Sequence, residues 1–467
     1  MNNQELTPNK TPRWVGPVIF FLSAGIVVLL SMLAISIMER RWETTRPSLV
    51  LQPIATWEPD NAVWGRNYPR EYETYLQTRN DATRTKFGGA FPRDYLQEDP
   101  RQVILFSGYP FSIQYQQARG HYYSVKDIAS TKRINDKTVA TCWTCKSTEV
   151  PRKMAELGVK GFSDRLFSDF IGEITHPIGC QDCHDPATMN LRITRPALRE
   201  AFAARGMNID EATHQQMRSL VCAQCHVEYY FKDIRYLTFP WKNGLRADDM
   251  LRYYDEIDFT DYVHAVSKTP IVKAQHPDYE TYSSGIHAYR GVACADCHMP
   301  YRTEGGVKFT DHHVQSPLLN IANSCAVCHR WSEKEIEQRV EGIQTKVYEA
   351  RLAAENALVK AHFDMAAAMQ AGIPDADLAA PRKTLRHAQF KWDYVAANNG
   401  MGFHSAQECM RLLGESVDGA QQTRLQIARL LAAKGIGSEP NYPDYSTREK
   451  ASAISQAFEA GRPVDLL

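Results

Sequence analysis

The 467-residue chain has no excess of charge of either sign, since 54 lysines and arginines balance 54 aspartates and glutamates. Without a polybasic surface to neutralise phosphates, nucleic acid is excluded as a partner class. Period-two alternation of apolar and polar residues is scarce, which argues against a body built from sheets. Nothing in the composition suggests disorder, and the length suffices for one large domain or two to three average ones. Cysteine outside a pattern is nearly absent. Of eleven, Cys409 alone is left over, inside a predicted helix, where the expected role is a small buried apolar residue.

The other ten form five C-x-x-C pairs. Four are followed by histidine: Cys180/Cys183/His184, Cys222/Cys225/His226, Cys294/Cys297/His298 and Cys325/Cys328/His329. The first, Cys142-Trp-Thr-Cys145, is followed by Lys146 instead. Zinc sites join two such pairs around one metal and need no His or Lys directly after the second cysteine, while redox dithiols usually occur once. The repeated spacing is that of covalent c-type haem attachment with an adjacent axial ligand, so five haems c are expected.

Covalent haem attachment implies export, and the N-terminus supplies the route. Val15 to Met38 is an apolar run of 24 residues, with Lys10 and Arg13 before it and Arg40 and Arg41 after it. Such a run spans roughly 30 Å of hydrocarbon. It exceeds the usual h-region of a cleaved signal, and no small-x-small site closes it cleanly, so an uncleaved anchor is the favoured reading. The flanking charges do not decide orientation; the haem sites place the body on the periplasmic side.

The expected organisation is mainly α: anchor or signal 1–46, a Pro- and Trp-containing connector 47–69, a haem-dense region 70–330 of irregular short helices, and a helical region 331–467. Five haems would fill much of the interior of so irregular a segment. Behind the capping box Ser332–Glu335, Ile336, Val340, Ile343, Val347, Ala350, Ala354, Ala357 and Ala361 recur at spacings of four and three. This stripe predicts a long helix ended by Gly372 and Pro374, with a homodimer interface as its functional reading and a cover for the haem core as the alternative. A second helix is expected over Leu378–Asn398, with Leu385, Ala388, Trp392 and Val395 on one side. A third should open at the Ser405–Glu408 capping box, break near Gly414 and Gly419, and end at Gly435.

Lys146 marks one haem as different. A lysine binds iron only as the neutral amine, and it changes the electronics of the metal. Electron-transfer haems want both axial positions filled, whereas a catalytic haem needs one free. Of 15 histidines, four follow C-x-x-C pairs and four more would complete bis-histidine sites, so the count permits an open fifth site. Lone histidines such as His176, His214 and His387 read as ordinary polar residues.

The Cys142–Lys146 site followed by four C-x-x-C-H sites resembles the catalytic subunit of the pentahaem, ammonia-forming cytochrome c nitrite reductases. Arg119-Gly-His121-Tyr, Cys225-His226-Val-Glu228-Tyr229-Tyr230-Phe, Lys273-Ala-Gln275-His276-Pro, Gly285-Ile-His287, Thr310-Asp-His312 and Gly402-Phe-His404 carry the same resemblance over roughly residues 90 to 450. It implies distal ligands: His121 for the third motif, His312 for the second, His287 for the fifth and His404 for the fourth, with His313 competing with His312. It also implies a trio of Arg133, Tyr229 and His276 around the open position, with Lys132 and Arg119 as alternatives to Arg133. A calcium ion is implied on Glu228, Tyr229, Lys273 and Gln275, where lysine and tyrosine offer only backbone carbonyls. A metal-free Glu228–Lys273 salt bridge is the competing arrangement.

The chemistry suits the trio. Nitrite is an anion whose oxygens can accept charge-assisted hydrogen bonds from guanidinium and imidazolium, and protonation lets N–O bonds break as water leaves. His276 is the expected proton donor, and Tyr229 a holder of intermediates or a proton relay. The implied function is six-electron reduction of nitrite to ammonium. The electron donor would be a membrane quinol-oxidising multihaem cytochrome or a soluble multihaem carrier. A pure electron carrier with a closed Lys146 site is the rival from another class, and an enzyme oxidising hydroxylamine, which typically has more haem motifs, is a second.

Overall fold

The computed structural model describes residues 12–44 and 51–467. Lys10 and the 1–11 and 45–50 portions of the expected anchor and connector lie outside the described residues. One compact unit holds the N-terminal helix together with residues 302–309, and a second holds 53–301 with 310–467. The first contains α1 (Val15–Thr44), whose 15–39 stretch is long and apolar enough to cross a membrane by length and composition.

The second unit is built from helices, as expected for a mainly α chain. It begins inside the segment read as connector: Asp60 caps the helix Asn61–Asn67, Trp64 is buried, and Asn61 Oδ1 accepts from Cys180 N at 2.9 Å. From there to residue 330 the helices are short, the longest being α2 (Ala247–Glu256). The strands β1 (Tyr230–Lys232) and β2 (Tyr236–Thr238) form an antiparallel hairpin with Tyr230 opposite Thr238. Four longer helices follow: α3 (Glu333–Gln370), α4 (Asp375–Ala396), α5 (Ala406–Ala433) and α6 (Arg448–Glu459).

Helix α3 starts at the predicted capping box. Ser332 Oγ accepts from Glu335 N, and Glu335 Oε2 accepts from Ser332 N at 2.8 Å. It stops before Gly372, which has φ +69, and Pro374. The stripe faces inward: Ile336 and Val340 pack with Ile321, and Val347, Ala354, Ala357 and Ala361 join the main core with residues of α4 and α5. These side chains are therefore buried within the chain, which corrects the reading of the stripe as a dimer surface. Periodicity identifies an apolar face without saying what covers it.

Leu385, Ala388, Trp392 and Val395 of α4 are buried together, as expected, but the helix begins three residues early, at Asp375. Helix α5 departs further. Ser405 makes no side-chain cap, and Glu408 is held instead by Arg411 Nη2 at 2.6 Å. Nor does α5 break at its glycines: Gly414 faces open space, and a Cβ on Gly419 would sit 3.0 Å from that of Ala388, so Gly419 lets α5 approach α4.

The core also holds two stacked imidazoles that the sequence did not single out. His264 and His362 lie with ring centres 3.8 Å apart, both fully buried. His264 Nε2 donates to Ile104 O at 2.8 Å, Ser267 Oγ donates to His362 Nδ1 at 2.8 Å, and His362 Nε2 donates to Gln389 Oε1. Burial pushes His362 down to about 4. Between about pH 6.5 and 4 the unfolded state then binds a proton that the folded state refuses, so this contribution is intact above the window and lost as pH falls through it. The loss amounts to about 3 kcal/mol. His362→Gln should flatten the acid limb of the urea-midpoint curve in this window; a slope equal to that of the unsubstituted protein would count against it.

Candidate active site

Four of the five cysteine pairs sit on or begin in single helical or 3₁₀ turns, and the third, Cys222–Cys225, on a turn closed by Cys225 N donating to Cys222 O at 3.1 Å. Cys180–Cys183 and Cys294–His298 are helical, while Ala140–Trp143 and Cys325–Val327 are 3₁₀ turns. Residues three apart on one turn share a face, so both sulfurs of a pair point to the same side. The pairs are also neighbours in space. The Cys145 thiol lies close enough to that of Cys225 to perturb it, and Cys222 to Cys294. Cys183 lies within electrostatic reach of Cys225, and Cys297 of Cys325 and Cys328. The third pair is thus a junction, touching the first, the second and the fourth, and the fourth leads on to the fifth.

Each histidine of a C-x-x-C-H site faces a second imidazole. Ring centres are 6.2 Å apart for His184 and His312, 6.5 Å for His226 and His121, 6.3 Å for His298 and His404, and 6.3 Å for His329 and His287. A metal held between two imidazole nitrogens at about 2 Å each, with about 1 Å from nitrogen to ring centre, separates the centres by roughly 6 Å. All four ring separations leave room for a metal ion between the two imidazoles. His313 is turned away, with Nε2 on Asp81 Oδ2 at 3.1 Å, and His176 and His387 meet Glu149 and Asp255. Two glycines in the motifs have steric work. Gly402 has φ +76, and a Cβ on Gly285 would lie 2.0 Å from His404 O, so the loops carrying His287 and His404 touch through backbone.

Around Lys146 the setting differs. Lys146 N donates to Trp143 O at 2.9 Å, and Lys146 O accepts from Ser124 Oγ at 2.6 Å, fixing the backbone. Arg133 lies with its guanidinium 4.3 Å over the Phe111 ring and within electrostatic reach of Cys142 and Tyr229. Of its alternatives, Arg119 is paired with Asp127 and lies over Tyr123, and Lys132 is exposed. Burial drives the Tyr229 phenol well above its ordinary range, with Cys145 and Cys142 adding to the effect. Burial, and then the charge of Lys146, push His276 down to about 3, and its buried Nδ1 has no hydrogen-bond partner.

Lys273 and Glu228 do not pair with each other. Lys273 Nζ donates to Asp393 Oδ1 at 2.8 Å, both side chains being buried, and sits 5.0 Å from the Phe106 and Phe111 ring centres. Glu228 instead accepts from Gln275 N at 2.6 Å and Tyr254 Oη at 2.9 Å. Lys273 is thereby left with its carbonyl, which lies 3.2 Å from the Gln275 amide nitrogen; turning that amide over puts two oxygens side by side. Glu228 and Asp393 are buried and Asp261 half-buried around Lys273, with buried Glu280 beside Glu228; burial raises Glu228 well above the carboxylate range and Asp261 to about 7. Carboxylate, carbonyl and amide oxygens with surplus negative charge are the donor set of a hard divalent cation.

Arg195 and Asp182 escaped the sequence reading. Arg195 is fully buried, pairs with Asp182 between Cys180 and Cys183, and donates to Thr144 O at 3.1 Å and Ser147 O at 2.8 Å. One guanidinium thus clamps both sides of Cys145–Lys146 and ties that turn to the second pair. No local signal could reveal this, since its partners lie 13 to 51 residues away.

A body of short helices that aligns five C-x-x-C turns, with four facing pairs of imidazoles, is that of a multihaem c-type cytochrome. The chain belongs to the cytochrome c552 family, whose profile matches residues 60–461. It is 48% identical to a cytochrome c-552 of Bacteroides fragilis over 451 residues, covering 95% of this chain and 92% of the relative. A cytochrome c-552 of Porphyromonas gingivalis is 46% identical over 97% of this chain and 92% of its own. Among solved structures, the catalytic subunit of the cytochrome c nitrite reductase from Desulfovibrio desulfuricans, described with two calcium sites, superposes with a TM-score of 0.77. It is 32% identical, over 83% of this chain and 90% of that one.

Arg195→Met should lower stability by about 3–5 kcal/mol, the cost of leaving Asp182 buried without its partner. It should also change the visible spectrum of the first haem, with Arg195→Lys recovering only part because a single ammonium cannot reach both carbonyls. A first-haem spectrum unaltered in a folded Arg195→Met protein contradicts the clamp.

Proposed function

We propose that this chain is an ammonia-forming nitrite reductase, taking nitrite to ammonium with six electrons at the haem of Cys142, Cys145 and Lys146. One observation carries the reading. The four C-x-x-C-H histidines each have an opposing imidazole, whereas the Lys146 site has Arg133, Tyr229 and His276 nearby. The haems, when bound, supply electrons one at a time and an iron position for substrate. In this reading His121, His287, His312 and His404 complete the other four haems, which form a wire through the junction pair to the Lys146 site.

The residues divide the remaining work. Arg133, anchored by Phe111, presents a fixed positive charge to an anion and its oxygens. His276 is held neutral chiefly by burial; an arriving anion favours its charged form, so the imidazole gains a proton as substrate binds and can deliver it to a leaving oxygen. Tyr229 keeps its proton throughout, which suits a hydrogen-bond donor to partly reduced nitrogen. Calcium, on Glu228, the carbonyls of Tyr229 and Lys273, and Gln275, would fix the backbone on both sides of this trio and add positive potential beside the anion.

The chain is read as facing the periplasm on an N-terminal anchor, with a membrane quinol-oxidising multihaem cytochrome or a soluble multihaem carrier as donor. A homodimer would meet through a face of α3 other than the buried stripe; its exposed row is Gly342, Lys346, Glu349, Ala353 and Asn356.

The deciding test mixes the haem-loaded protein with nitrite and excess reduced viologen and counts ammonium formed per nitrite consumed. A ratio near one is expected. Untouched nitrite in a fully loaded sample means an electron carrier with a closed Lys146 site. Removing calcium with a chelator should lower turnover at least tenfold while leaving the low-spin haem absorption intact, and added calcium should restore it; turnover indifferent to the chelator contradicts the metal assignment.

A further inference from the structure

The second ring nitrogen of a haem-ligating histidine is where the protein tunes the iron, and the sites differ there. Nδ1 of His184 donates to Met189 O at 2.8 Å, that of His298 to Gln315 O at 2.9 Å, and that of His312 to Thr310 O at 2.8 Å. All three acceptors are neutral backbone carbonyls. His226 Nδ1 donates at 3.2 Å to a carboxylate oxygen, Oδ2 of Asp278. Asp278 is itself buried and is held by Asn399, whose N donates to Oδ1 at 2.9 Å and whose Nδ2 donates to Oδ2 at 2.7 Å.

A buried anion at Nδ1–H draws the proton toward itself and makes the imidazole a stronger electron donor through Nε2. That stabilises the oxidised metal and lowers its reduction potential. The haem concerned is the third, at the junction where Cys225 meets Cys145 of the first site and Cys222 meets Cys294 of the fourth. Asp278 also closes the loop that carries His276, its N donating to His276 O at 2.6 Å.

We propose that Asp278 is a positioning and tuning residue for electron delivery, holding the third haem at a lower reduction potential than a carbonyl-bonded site so that electrons reaching the junction pass on to the Lys146 haem. The inference rests on the ligand assignment of His226 and His121 proposed above, but it is read without nitrite and is therefore separable from the activity.

The experiment is an EPR-monitored redox titration of the full-length, haem-loaded protein. The third-haem signal is identified as the low-spin signal lost in His121→Ala. In Asp278→Asn its midpoint should move up while the signals of the second and fifth haems stay in place, and Asp278→Glu should bring it back toward the unsubstituted value. Asn399→Ala keeps the carboxylate and the backbone donor to Oδ1 but removes the Nδ2 donor to Oδ2, the oxygen that faces His226, so the same midpoint should move down. Opposite signs from two neighbouring substitutions are not produced by loss of packing. An unmoved third-haem midpoint in a fully loaded Asp278→Asn protein, or equal movement of all five haems, overturns the proposal. Should Asp278→Asn fail to load haem, Asn399→Ala decides alone: a downward shift supports the proposal and an unmoved midpoint overturns it. If the unsubstituted protein leaves nitrite untouched while the midpoints move as stated, the nitrite reading falls and the tuning role stands.

Discussion

The ion pair between Lys273 and Asp393 governs where a six-residue stretch of backbone runs, and much of the chemistry is strung along that stretch. Lys273 anchors one end in an aromatic pocket against α4, and Asp278 anchors the other through Asn399, just beyond α4. Between them lie the carbonyl of Lys273, the amide of Gln275 and the ring of His276. Breaking a buried pair by removing one partner costs about 3–5 kcal/mol, so the stretch is strongly held. A mobile loop could present the same side chains, but not with carbonyls, imidazole and carboxylate each aimed at a different neighbour.

The haem-bearing region follows another rule. It has few long elements of its own, and its order comes from tying short turns together through polar contacts at long sequence separation. Asn61 holds the backbone of Cys180, Arg195 joins the first and second cysteine pairs, and Arg218 meets Asp296 between Cys294 and Cys297. Buried polar groups must be satisfied, and a segment without extended ladders meets that demand with side chains. The long helices serve the conventional purpose: α3, α4 and α5 bury their apolar faces in one continuous core that also receives Phe106 and Trp241.

How far the sequence went depended on the range of the physics involved. The cysteine spacing is local and gave the haem sites outright, and the capping box and terminal glycine of α3 were legible because capping acts within four residues. The pairing of His121, His287, His312 and His404 came through family resemblance and not from any local pattern. What could not be read was orientation. The stripe of α3 was visible, but its partner was the chain itself; Gly419 looked like a break and is a point of close helix contact. Arg195 and the Lys273–Asp393 pair carried no signal, because nothing local marks a charge whose partner lies 13 or 120 residues away. Asp278 was within reach, standing two residues after His276 in a segment already singled out, but an acidic residue there reads as surface until the ring of His226 is seen beside it.

The backbone contact of Gly285 with His404 couples two loops. The loops that carry His287 and His404 meet there with no side chain between them, because a Cβ at position 285 would lie 2.0 Å from His404 O. Any larger residue at 285 must push the two loops apart, so one substitution would disturb the settings of both imidazoles at once.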